Sequence, residues 1–162
     1  ARQRARLGAH GKRTARRAKG LEATLVDRER RRVVALDPTD GRAREIWIAG
    51  PAALIVAKLH KIGERVEAQD RVRDKDALDL YRLLQAVSTD QLADGMRRIR
   101  AHPLSRDVTA KALVTLRTLF TQRDAEGIEM TVRAAGDPAN SDVMRASIVA
   151  LVTDLLTVTE EY

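Results

Sequence analysis

At Gly50-Pro51 the hydrophobic period of the chain changes, and this change limits what it can fold into. Before that point apolar residues come in short, nearly alternating runs. After it they recur at intervals of three and four, the spacing of a helix with one buried face. In the first region Leu21, Ala23 and Leu25 alternate with Glu22, Thr24 and Val26, and a charged patch from Arg28 to Arg32 separates them from the apolar run Val33 to Leu36. The pattern predicts a hairpin. Asp37 to Gly41 carries turn chemistry, and Glu45 to Ile48 predicts a third short strand with Ile46 and Ile48 on one face.

Pro51 suits the first turn of a helix, where its missing N–H costs nothing. Ile55, Leu59, Ile62 and Val66 then form a single stripe. A polar stretch, Glu67 to Arg73, leads to a second helix striped by Leu80, Leu83, Leu84 and Val87. Ser88 and Gln91 have capping-box spacing and open a third, carrying Leu92, Met96 and Ile99 and ending at His102-Pro103. A fourth spans about Arg106 to Thr121 around Leu113, Leu116 and Phe120. A shorter fifth lies between Gly127 and Ala135. A sixth begins between Pro138 and Ser141 and presents Met144, Ile148, Leu151, Leu155 and Val158. The expected fold is therefore α+β: a short three-stranded sheet portion over residues 21–50 followed by a helical bundle over 51–162, with residues 1–20 as a basic arm. Three strands bury little by themselves, so they are expected to be part of a larger sheet.

A length of 162 residues suits one domain with a real core. No apolar run reaches the roughly 18 to 20 residues that cross a bilayer, and the basic N-terminus lacks the apolar region of a secretory signal. A cytoplasmic location and no membrane partner are the expectation. The lack of cysteine excludes disulfides and thiolate zinc sites. Of the net charge of +7, eight positive charges fall within residues 1–19, leaving −1 for the rest, so the basicity belongs to the arm. Such an arm can condense on phosphates with a salt-dependent affinity. Trp47, Tyr81, Phe120 and Tyr162 are scattered, which argues against a surface that stacks successive bases. His10, His60 and His102 have no metal-ligand spacing, with His60 on an exposed-looking face. Leu7 to Lys12 lacks the strand and spacing of a phosphate loop. Met96, Met130 and Met144 suit core gaps.

The distinctive segment is residues 58–84, "KLHKIGERVEAQDRVRDKDALDLYRLL". At about 100° per residue, Lys58 and Arg65 lie along one edge of the apolar stripe of their helix, where a long cation buries its stem and presents its head. Asp76 stands one turn before Leu80 and faces inward, with Asp79 on the adjacent flank. These charges can serve structure alone, Asp74 and Asp76 capping a helix start while Lys58 or Arg65 pairs with them.

Residues 51–84 also resemble the AbiEii-like family of abortive-infection, type IV toxin–antitoxin proteins, which have a nucleotidyltransferase fold. In that family a motif K-L-x-A-L-x-x-R is followed by R-D-x-x-D-L-Y-x-L. Lys58 and Arg65 match the first motif. In the second, Lys75 stands where the arginine usually is, and Asp76, Asp79 and Tyr81 complete the match. The resemblance implies transfer of a nucleotide from an NTP to an RNA such as tRNA, or to another acceptor, with Mg²⁺ as cofactor and a cognate antitoxin as partner. It implies catalytic roles for Lys58 as a phosphate contact and Asp76 as an orienting or acid–base group, and substrate-binding roles for Arg65, Asp79 and Lys75. The chain departs from the family in having no Gly-Ser turn followed by D-x-D: its D-x-D, Asp74-Lys75-Asp76, opens a helix. The metal strand is expected to precede Ala1, with no cofactor bound and no transfer by this chain alone. Asp27 and Glu45 are auxiliary carboxylate candidates. The alternative expectation is a non-catalytic helical interaction module with a nucleic-acid-contacting basic arm.

Overall fold

The structure, a computed structural model, describes residues 18–68 and 74–160. The basic arm lies almost entirely outside them. The fold is α+β: among the described residues, two antiparallel strands, β1 (Arg28–Val34) and β2 (Ala43–Ala49), are followed by six α-helices. These are α1 (Pro51–Glu67), α2 (Lys75–Ala86), α3 (Thr89–Ala101), α4 (Arg106–Phe120), α5 (Glu126–Ala135) and α6 (Ser141–Glu160).

The three-stranded expectation is corrected here. Glu22–Leu25 forms one turn of 3-10 helix, in which only Ala23 is buried, and the Thr24 hydroxyl donates to the Leu21 carbonyl at 2.7 Å. The charged patch expected to separate two strands is itself β1. Its register runs from Arg28 opposite Ala49 to Val34 opposite Ala43. The turn chemistry at Asp37 does close this hairpin: the Asp37 carboxylate accepts from the Thr39 amide at 2.9 Å and the Asp40 carboxylate from the Arg42 amide at 3.0 Å. β1 is exposed along its whole length and β2 along most of its own. Alternation of apolar and polar residues arises where one sheet face is buried. A ribbon open on both faces has no such pattern, and the more apolar neighbouring run mimicked a strand.

The helices follow their stripes closely. Ile55, Leu59 and Ile62 of α1 are fully buried, and α1 packs against α2, α3 and α4, with α5 on α2 and α6 on α3. Each such side chain contributes about 1.5–3 kcal/mol by leaving water. Leu80 and Leu84 of α2 join the core with Ala77 and Tyr81, while Leu83 and Val87 are only partly covered. Ser88 caps α3 as expected, its Oγ accepting from the Gln91 amide at 3.3 Å. Gly136 ends α5 at φ 66°, a left-handed position that glycine occupies without penalty. In α6 the buried stripe is Ile148, Val152, Leu155, Leu156 and Thr159, rotated from the expected one on a helix that α3 touches most and α2, α4 and α5 also touch. Met96 and Met130 are core residues and Met144 is partly buried. No described helix is long and apolar enough to cross a membrane.

Asp27 joins hairpin and bundle. Its Oδ2 accepts from the Ala53 amide at 3.0 Å, in the first turn of α1, and its carbonyl accepts from the Gly50 amide at 2.8 Å. The helix thus receives its N-terminal cap from a residue far upstream, since Gly50 at the N-cap position has no side chain to offer. Arg98 of α3 donates to Asp27 Oδ1 at 3.2 Å.

Candidate functional site

Four of the five candidate residues meet between α1 and α2. Lys58 Nζ donates to Asp76 Oδ1 at 2.8 Å and to Asp79 Oδ2 at 2.6 Å. Arg65, two turns further along α1, pairs with Asp76 Oδ2. The geometry follows from helical spacing: Lys58 and Arg65 share one edge of α1, and Asp76 and Asp79 are one turn apart on the facing flank of α2. Lys75 does not join them. It points to solvent from the first position of α2.

The cluster is graded in burial. The Asp76 side chain is 2% exposed, that of Lys58 25% and that of Asp79 34%, so a deeply buried carboxylate is overlain by a cation with one side open. Burial is the largest influence on the Asp76 carboxyl and pushes its pKa up, but the Lys58 hydrogen bond and the charges of Lys58, Arg65 and Lys61 outweigh it, holding the group below the ordinary aspartate value. Burial is likewise the largest influence on Lys58 and disfavours its charge. Asp76 and Asp79 more than offset it and raise the lysine above its ordinary value. Both Asp76 and Lys58 are therefore ionised at neutral pH. Asp76 holds Lys58 through one carboxylate oxygen and Arg65 through the other. Lys58 has three N–H donors and directs two at carboxylates, leaving one without a protein partner among the described residues.

Asp74, a candidate cap, makes no capping bond. Its Oδ2 instead accepts from Arg133 Nε of α5 at 2.8 Å, and Arg133 also reaches Glu126 at 2.9 Å. No local pattern announces this pair, whose members are far apart in the chain. Tyr81, the motif tyrosine, is buried, and its hydroxyl donates to Ser147 of α6 at 3.2 Å and accepts from Gln85 at 2.9 Å. His60, expected on an exposed face, is partly buried and bonds the Val108 carbonyl of α4 at 2.8 Å. The auxiliary carboxylates are not brought together: Asp27 caps α1, and Glu45 sits exposed on β2, four residues before Ala49.

No protein-family model, curated protein or solved structure matches this chain. The likeness of Lys58 to Leu84 to the two toxin motifs therefore supports a proposal and not a family assignment. The Mg²⁺ that this likeness implies has no fitting donor set here: among the described residues no three His, Asp or Glu side chains are grouped to hold a metal ion. Asp76 and Asp79 are both committed to cations.

Proposed function

We propose that this chain is the C-terminal part of a nucleotidyltransferase-fold protein of the toxin type, which in its intact form transfers a nucleotide from an NTP to an RNA, tRNA among the candidates, or to another acceptor. The observation that carries the proposal is Lys58, kept charged by two carboxylates at an open edge with one further N–H donor. A phosphate oxygen fits that donor. Asp79, a third exposed, is the partner able to yield when the phosphate arrives, while the buried Asp76 keeps the ammonium group aimed. Arg65 adds positive charge behind Asp76 and is held too deep to travel. The hairpin supports the same proposal, since among the described residues no further strand pairs with either of its edges. No step through a metal is assigned to these residues.

A different function is favoured by one observation: the two cations and two carboxylates neutralise one another, as they do in a purely structural network. On that view the chain is a helical interaction module. The two separate on one experiment. The complete product of the native gene is incubated with each α-labelled NTP, Mg²⁺ and total RNA. Label transferred to RNA by the wild type and lost in a folded Lys58→Ala variant supports the transferase. Absence of transfer with every nucleotide, or undiminished transfer by the variant, leaves the interaction module.

A further inference from the structure

Strand β1 reads Arg-Glu-Arg-Arg-Arg-Val-Val, and its pairing sorts these arginines onto two faces. On one face Arg31 forms an ion pair with Glu29 at 2.8 Å. Arg28, Arg30 and Arg32 share the other face with Glu45 and Trp47 of β2 and have no carboxylate contact among the described residues. The guanidinium carbons of Arg28 and Arg30 sit 4.5 and 5.3 Å from the centre of the Trp47 ring. A guanidinium resting on an indole is fixed by its flat face and keeps its in-plane N–H donors free for a planar or tetrahedral anion. Arg28, Arg30 and Arg32 leave the strand at every second position, about 6.5–7 Å apart along the backbone, the first two gathered over Trp47 and the third beyond them.

We infer that this face of the hairpin binds the sugar–phosphate backbone of single-stranded RNA. Charge complementarity selects a polyanion. The succession of three arginines along one exposed strand selects an extended one, because an unpaired strand can adapt its backbone to a narrow ribbon whereas a duplex has a fixed curvature. A single indole, already covered by arginine, is not a platform for successive bases, so binding is expected to be indifferent to sequence. The other arginines of the hairpin are engaged elsewhere: Arg42 pairs with Asp40, and Arg44 donates to the Ala43 carbonyl at 3.2 Å. Glu45 stands opposite Arg32 as the carboxylate on this face and opposes the ligand. The inference stands on the hairpin alone and does not depend on the Lys58 cluster.

Trp47 is the only tryptophan in the chain, so its fluorescence reports this face directly. The full chain is titrated with a labelled twelve-nucleotide oligouridylate at several salt concentrations, following label anisotropy and Trp47 emission together. Both signals are expected to saturate at the same concentration. Substituting Arg28→Gln, Arg30→Gln and Arg32→Gln together is expected to weaken binding at least about ten-fold and to lower the salt slope by about 2, at roughly 0.7 for each phosphate that is no longer neutralised. Glu45→Gln is expected to tighten binding, a gain that loss of folding cannot imitate. Rising anisotropy with unmoved Trp47 emission places the RNA elsewhere, as on residues 1–19, and overturns the inference. Unchanged affinity in both variants, or tighter binding of an RNA duplex of equal length, overturns it as well.

Discussion

Lys58 on α1 and Asp76 on α2 meet at 2.8 Å with the carboxylate almost wholly out of water, and this contact ties the two motif-bearing helices together. Arg65 closes the other carboxylate oxygen. Removing the shared anion takes from Arg65 its Asp76 partner at a buried edge and leaves Lys58 with Asp79 alone. Asp76→Ala is therefore expected to cost about 3–5 kcal/mol, measured by urea denaturation at neutral pH. A loss under about 1 kcal/mol, the scale of a surface ion pair, would show that the cluster contributes little to folding. The stability cost arises whichever function is correct, so Asp76→Ala cannot separate them and the Lys58 transfer assay must.

The same pair sets a pH window. The folded-state Asp76 carboxyl lies below its unfolded value, so its stabilisation is fully present above about pH 4 and is lost as pH falls through the folded value. Lys58 is raised in the folded state, so its stabilisation is fully present below about pH 10 and is lost as pH rises through the folded value. Unfolding free energies of wild type and Asp76→Asn, compared from pH 2 to pH 7, are expected to converge at the acid end. A constant difference across that range would mean that Asp76 titrates alike in both states.

Two glycines inside helices should respond oppositely to alanine. A Cβ on Gly95 of α3 would lie 2.6 Å from the Cβ of Ala52 on α1, so Gly95→Ala must separate the helices and is expected to cost about 1–3 kcal/mol. A Cβ on Gly63 of α1 meets Thr115 at an ordinary 3.6 Å. Gly63→Ala is expected to stabilise by about 0.5–1 kcal/mol through helix propensity. Thermal melts of the two variants should move in opposite directions: a gain for Gly95→Ala would refute the close approach there, and a loss for Gly63→Ala would refute the open space beside Thr115.

Asp27→Ala removes the cap of α1 and the partner of Arg98 together. A loss of about 1–2 kcal/mol is expected. Hydrogen exchange should locate it: the Ala53 amide is expected to lose protection while amides in α4 keep theirs. Uniform loss of protection would show that the hairpin junction and the bundle unfold as one unit.

The period of the apolar residues was enough to find five of the six described helices, because each buries one stripe against neighbours and burial is what writes period into a sequence, while the fifth, Glu126–Ala135, was bounded by the glycine that ends it. Ser88 could be recognised as a cap for a similarly local reason: donor and acceptor lie three residues apart. Helical geometry also places Lys58, Arg65, Asp76 and Asp79 on the edges of their apolar stripes, where facing helices can bring them together. Pairings between distant residues were not legible in this way. Asp27 capping α1, Arg133 holding Asp74 and the rotation of the α6 stripe depend on how elements pack, and no spacing encodes that. The hairpin marks the boundary most clearly. Arg28 to Val34 form a strand with neither face buried, held by the backbone ladder and by Trp47 beneath two arginines. Backbone hydrogen bonds are common to every residue type, so only the tertiary structure could decide that this charged run pairs and that Leu21 to Val26 does not.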